Sequence, residues 1–211
     1  MVKLSKCVYL AWELGSAEAA NLKQKFFTED ELLIGICSLE KMVFLIKENK
    51  INFNDEYAES IYIENDEIQE FFDKFNISLS SIRRGIRKLK GNGNMVDEGQ
   101  MSRSESCKAI FNDASRIAEN TNSDEARCIH FLKAILNKPS DIIKTFFEDN
   151  GVNFDELKTP LDIKSESKRL KLSSNSILVK YGTNLTEEDV IKINAVADAN
   201  NLTVGEVIAV G

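Results

Sequence analysis

An all-α protein is what this sequence predicts: two tandem four-helix repeats in a pseudo-twofold arrangement, followed by a linker and a short partial segment. Three observations predict it. The stretch 5–37 recurs as 104–136 without a gap, displaced by 99 positions (Gly15 to Ala114). Val8, Trp12, Gly15, Ala19 and Leu22 fall on Cys107, Phe111, Ala114, Ala118 and Thr121, and steps of 4, 3, 4 and 3 mark one face of a helix. The downstream halves recur too, displaced by 75 (Ile68 to Ile143): Ile68, Phe71, Phe72, Ile77, Leu79 and Ile82 match Ile143, Phe146, Phe147, Val152, Phe154 and Leu157. Finally, only 2 Pro and 10 Gly in 211 residues favour long helices over a loop-rich β fold.

The two displacements differ by 24 (99 − 75), so the first copy carries an insertion of about that size within residues 40–67. The predicted organisation is a double-repeat domain over 1–158, with repeat one at 4–90 and repeat two at 102–158. A linker at 159–177 and an appended segment at 178–211 follow.

Helix one is expected from Ser5 to about Asn21, with Leu4 outside it. Gly15/Ala114 and Ala19/Ala118 keep its buried face thin, so another helix can approach closely. Phe26-Phe27 bends the chain inward before Thr28, an N-cap for the second helix. Glu29, Asp30 and Glu31 fill that helix's first turn, where the dipole favours negative charge.

Within the insertion, Asn52–Tyr62 is acidic and carries Phe53, Tyr57 and Tyr62. A calcium loop is excluded, since it has no glycine at the sixth position and no bidentate glutamate at the twelfth. The insertion reads either as an extra helix covering apolar surface or as a contact for a basic-hydrophobic peptide. Asn65-Asp66 is expected to cap the third helix, as Ser140-Asp141 does in the second copy. Asn76 marks a kink before the fourth helix.

That fourth helix ends in Arg83, Arg84, Arg87, Lys88 and Lys90, then Gly91-Asn92-Gly93-Asn94. Cations in the last turns of a helix that stops at glycine complement the C-terminal dipole. A nucleic-acid patch is the sharper alternative. A net charge of −7 and the absence of stacking aromatics there argue against it. Asn92–Met101 reads as the linker between repeats.

Hydrophobic content of 43% with 29% charged residues is that of a soluble globular protein, and no apolar run reaches a membrane span. Cys7, Cys37, Cys107 and Cys128 show no C-x-x-C spacing, so a reducing cytoplasm is the simplest reading. His130 is the only histidine. With Cys128 at i−2 pointing elsewhere on the helix, it reads as a structural residue rather than a metal ligand. No nucleophile–base pair, metal cluster or cofactor motif is visible. G-x-x-x-x-G-K-[ST] does not occur, so nothing in the chain can cradle ATP phosphates and no enzymatic activity is expected.

The repeated unit resembles the Clp N-terminal repeat, which occurs in tandem at the front of the Clp AAA+ unfoldases and disaggregases. Gly15-x3-Ala19 and Ala114-x3-Ala118 resemble the family's A-x3-A first helix. Thr28–Ile36 and Cys128–Ile135 resemble its T-E-H-L-L-x-A-L opening of helix two. Phe147–Phe154 resembles its L-E-E-L-G-V-D joint, and Leu178–Thr186 resembles the L-x-K-Y-G-x-D-L-T that opens the first ATPase module. The resemblance implies a substrate- or adaptor-binding N-terminal domain of an ATP-dependent unfoldase or chaperone. Its partners would be unfolded proteins or an adaptor, with AAA+ modules and a protease or chaperone in the parent molecule. It also implies that Glu29, Asp30, Glu31, Arg127 and His130, at the equivalent helix starts, form the binding site, without metal or cofactor. One branch of the family grips a modified arginine through a glutamate equivalent to Asp30 and Ile129. Here the first is shortened and the second is apolar, and an apolar residue cannot pair with a guanidinium.

A different class of function stands as the alternative. A strand over Ile177–Tyr181 followed by helices over Glu187–Asn200 and Thr203–Val210 has the order of a ribbon-helix-helix unit. Such a tail would make the chain a stand-alone DNA-binding regulator of the same fold.

Overall fold

A computed structural model describes residues 2–95 and 101–158. The expected linker at 159–177, the segment at 178–211 with its ribbon-helix-helix alternative, and the middle of the inter-repeat linker lie outside the described residues.

The elements run β1 (Lys3–Leu4), α1 (Lys6–Asn21), β2 (Phe26–Phe27), α2 (Glu29–Cys37), α3 (Leu39–Lys47), α4 (Asp55–Asp73) and α5 (Leu79–Lys90) in the first repeat. The second repeat runs β3 (Ser102–Arg103), α6 (Glu105–Asn120), β4 (Glu125–Ala126), α7 (Cys128–Asn137), α8 (Asp141–Asp149) and α9 (Phe154–Lys158). The helix starts are written in the sequence. Ser5, Thr28, Asn54, Ser78, Ser104 and Ser140 each accept a backbone N–H of the first turn, satisfying a donor that has no intrahelical partner.

The repeat is carried down to single dihedrals. Lys23 and Asn122, one displacement of 99 apart, both turn left-handed (φ 52° and 53°). There the N–H of the next residue bonds back to Ala19 at 2.9 Å and to Ala118 at 3.0 Å, closing α1 and α6 alike. Asn76 and Gly151, one displacement of 75 apart, do the same after α4 and α8 (φ 55° and 73°). The expected kink at Asn76 is this left-handed residue.

Four two-residue strands were not expected, since they are too short to show a period of two. They pair across the repeats. β1 lies parallel to β4, and β3 parallel to β2, so each repeat's leading strand is seated on the other repeat. The N–H of Ser5 donates to Ala126 at 3.0 Å and that of Ser104 to Phe27 at 2.9 Å, the same bond seen from both sides of a twofold. Where the pseudo-axis passes, equivalent residues meet each other. Trp12 lies edge-on to Phe111 at 5.5 Å, and Phe72 stacks on Phe147 at 5.9 Å. Self-contact of this kind is what an isologous pairing produces. One hydrophobic core therefore runs through both repeats.

One boundary is corrected. Asn65-Asp66 does not cap a helix; it lies in the middle of α4, which is capped by Asn54 and runs unbroken for 19 residues from Asp55. Ile61, Ile68 and Phe72 keep a continuous buried stripe through it, with no Gly or Pro to interrupt. The insertion is thus α3, a loop and the first turns of α4. In the second repeat Lys138-Pro139 connects α7 directly to α8.

Candidate functional site

The two places singled out by sequence, the starts of α2 and α7, are related by the pseudo-twofold. Both are buried. At α2, Thr28 and Glu31 form a capping box: the Thr28 N–H donates to Glu31 Oε2 at 2.9 Å, and the Thr28 hydroxyl sits 2.7 Å from the same oxygen. Lys90, from the last turn of α5, places its ammonium 2.7 Å from Asp30 Oδ2 and 3.0 Å from Glu31 Oε1. The Ser140 hydroxyl donates to Asp30 Oδ1, and that of Ser106 to Glu29 Oε2 at 2.7 Å. Burial alone would pull the Lys90 pKa down, but Asp30 and Glu31 outweigh it and the net shift is upward. The stability Lys90 contributes is therefore complete at neutral pH and is lost only above the ordinary lysine value.

At α7 the acids are gone. Arg127, Cys128, Ile129 and His130 replace Thr28, Glu29, Asp30 and Glu31. His130 takes the glutamate's part in the capping box, its Nδ1 accepting the Arg127 N–H at 2.9 Å. The missing negative charge comes from the other repeat. Glu64 of α4 accepts the Cys128 N–H at 2.7 Å, and Glu67 lies 3.2 Å from Arg127 Nη1. Burial pushes the Glu64 carboxyl up against the opposing pull of the Cys128 and Ser5 bonds. Glu64 was not singled out from sequence, because nothing local marks a residue that caps a helix 64 positions away.

His130 is fully buried, and burial first, then Arg127 and Lys133, lowers its pKa to about 4. A lowered folded value means that the unfolded chain binds the proton more readily. Stability is then complete above about 6.5 and falls as pH drops towards 4, by at most about 3 kcal/mol. Glu64 acts in the opposite sense, its raised value favouring the folded state as pH falls. Comparison with His130→Gln, which keeps a capping acceptor, isolates the first effect. Urea midpoints of the variant, measured between pH 7 and pH 4.5, should decline less than those of the parent. An equal decline would show that His130 does not carry the acid sensitivity.

All five expected binding residues, Glu29, Asp30, Glu31, Arg127 and His130, are therefore buried and engaged within the chain. The α2 and α7 helices touch each other directly, and their starts are engaged separately, that of α2 by Lys90, Ser106 and Ser140 and that of α7 by Glu64 and Glu67. Three of the α5 cations are likewise engaged: Arg87 in a two-pronged pair with Glu18, Arg83 with Glu40 at 3.0 Å, and Lys90 as above. Among the described residues no group of three or more His, Cys, Asp or Glu side chains is placed to hold a metal ion. The four cysteines are free and buried, and burial raises the pKa of each thiol.

What stands partly open is α3. Met42, Val43, Phe44, Leu45 and Ile46 are five consecutive apolar residues, of which four are half-buried and Phe44 is 53% exposed. Met42, Val43 and Ile46 turn one side of the helix to the core, while Phe44 stands out into solvent, and exposed apolar surface of this kind marks contact sites. Lys41 and Lys47 flank it, and Lys50 lies over the Phe44 ring at 5.4 Å. The signal was present in the sequence as an apolar run inside the insertion, but a run alone does not say which residues stay outside. The insertion's Phe53 and Tyr57 lean on each other at 4.8 Å, and the Tyr57 hydroxyl donates to the Lys6 carbonyl of α1 at 3.3 Å.

The chain matches no family model and no curated protein. Among solved structures it is similar to the N-terminal domain of the caseinolytic protease associated chaperone ClpD from Arabidopsis thaliana, with 13% identity and a TM-score of 0.48 over 74% of this chain and 90% of that one. It is also similar to the Hsp104 N-terminal domain from Candida albicans, with 14% identity and a TM-score of 0.45 over 74% and 87%. A third is a structure from a malarial protein secretion system, with 14% identity and a TM-score of 0.44 over 74% and 90%. No helix among the described residues is long and apolar enough to cross a membrane.

Proposed function

We propose that this chain is a polypeptide-binding module of the Clp N-terminal kind, recruiting unfolded protein segments to an ATP-driven unfoldase. The observation that carries this reading is α3, an apolar surface helix rimmed by lysines on a protein of net charge −7. Hydrophobic segments of an unfolded chain would cover Phe44 and the outer side of α3, and acidic flanks are favoured by Lys41 and Lys47. The helix-start residues act as the frame rather than as contacts, because their charges are already paired. Each contact would be weak, and several copies on one assembly would multiply it.

The test is an NMR titration with an unfolded model protein, free and arginine-phosphorylated. Shifts are expected on α3, with an affinity loss of about tenfold in Phe44→Ser, and with no gain from phosphorylation, since Lys90 holds the Asp30 position and Ile129 is apolar. Exposed Phe44 contributes little to folding, so the variant should remain as stable as the parent. Binding that spares α3, or that needs the phosphorylated form, would overturn the reading. A dedicated adaptor then becomes the better partner. Salt-sensitive DNA binding lost with residues 175–211 would favour the regulator instead.

A further inference from the structure

Two of the four cysteines come from opposite repeats and meet at one carboxylate. Cys7 lies in the first turn of α1, and Cys128 opens α7. The parallel pairing of β1 with β4 sets Leu4 against Ala126, and the Ser5 N–H bonds the Ala126 carbonyl at 3.0 Å. Helices α1 and α7 therefore start side by side and touch. Both thiols donate to the Glu64 carboxylate, which also accepts the Cys128 N–H at 2.7 Å.

The pseudo-twofold supplies an independent sign that these two side chains face each other. A displacement of 99 carries Cys7 to Ser106 and Glu29 to Cys128. Ser106 and Glu29 are in direct contact, hydroxyl to carboxylate, at 2.7 Å. The same two places on the other side of the axis hold the two thiols. The remaining cysteines stand apart from them, Cys37 beside Arg83 and Glu40, and Cys107 beside Glu29 and Arg103.

We propose that Cys7 and Cys128 are a two-electron oxidation site, closed by a peroxide into a disulfide that staples the two repeats together. One sulfur attacks a peroxide oxygen and its proton passes by way of Glu64 to the departing oxygen, leaving a sulfenic acid and one water. The second sulfur then attacks the sulfenic sulfur. The S–S bond forms, the S–O bond breaks, and the hydroxyl leaves with the second thiol proton as another water. Two thiols and one peroxide thus give one disulfide and two waters. Both thiols are fully buried and burial raises them, so little thiolate is present and the reaction waits on local opening. Tyr57, half-buried near the start of α4, is the piece that opens. Its hydroxyl bonds the carbonyl of Lys6, next to Cys7, at 3.3 Å.

The test treats the intact chain with hydrogen peroxide, blocks the remaining thiols after unfolding, and maps the cross-linked peptides by mass spectrometry. A link between Cys7 and Cys128 within one chain is expected, with Cys37 and Cys107 left as thiols. The bridge closes a long loop, so the oxidised chain should melt roughly 8 °C above the reduced one, and a dithiol reductant should reverse the rise. Cys7→Ser copies the residue that the second repeat already carries at Ser106, and it should fold as the parent does and show no rise. Tyr57→Ala should speed closure by about tenfold, a lowering of the opening cost read directly as rate. Mapping is done on the parent, so it does not depend on either variant folding. Four free thiols after peroxide, a link through Cys37 or Cys107, or a link between two chains would each overturn the proposal. A midpoint that rises equally in Cys7→Ser would overturn it as well.

Discussion

Gly35→Ala is expected to lower the unfolding free energy by about 3 kcal/mol or more, read as a fall of roughly 8 °C in thermal midpoint. A Cβ on Gly35 would be driven into the Ala11 carbonyl oxygen, and one on Gly15 into that of Glu31. The contact is therefore reciprocal: α1 and α2 approach backbone to backbone at two heights. Neither obstacle is a side chain that can turn away, so the two helices would have to separate along their shared length. Alanine's better helix propensity returns only about 1 kcal/mol. Gly85 provides the contrast. The atom its Cβ would meet is the Phe146 ring, which can shift, so Gly85→Ala should be milder. The second repeat has Ala114 and Ala134 at the corresponding positions. Its α6 and α7 have already accommodated the methyl groups, and Ala134→Gly should cost the propensity difference plus the loss of one buried methyl, together about 2 kcal/mol. Equal midpoints for Gly35→Ala and the parent would show that the α1–α2 approach is not tight.

Lys90→Met is expected to destabilise by about 3–5 kcal/mol. The Lys90 side chain is 9% exposed and holds two carboxylates, of which Glu31 is fully buried. Removing the ammonium leaves Asp30 and Glu31 facing one another in a site shielded from water, and that uncompensated charge is the larger part of the loss. The second substitution discriminates. Lys90→Met with Asp30→Asn should be more stable than Lys90→Met alone, although it has lost a further charged group, because one of the two repelling charges is gone. A double variant that is less stable by the simple sum would mean the three groups do not interact as a unit. Since Ser140 also bonds Asp30, loss of Lys90 should loosen the seam between repeats as well. Amide exchange at the start of α8 should then rise together with that at the start of α2.

The sequence alone determined the repeat, its two displacements, the helix starts at Ser5, Thr28 and Ser140, and the all-α class. Each of these is local: a cap is one residue beside its helix, and a buried stripe is a period that can be counted. A kink at Asn76 was legible for the same reason, though its left-handed dihedral was not. Tertiary structure decided everything that needed two distant segments at once. The cross-repeat strands are two residues long and exist only because each repeat presents an edge to the other. Asn65, a good cap by type, was absorbed into α4 because the stripe of Ile61, Ile68 and Phe72 runs past it to bury against both repeats. The acids Glu29, Asp30 and Glu31 read as an open binding site until Lys90, Ser106 and Ser140 arrived from three other elements to pair with them. Glu64 caps α7 from the opposite repeat, and α3 stays half-exposed because α4 and the core cover only one side of it. Charges and apolar runs are visible in a sequence, but whether each is satisfied depends on what the fold places against it.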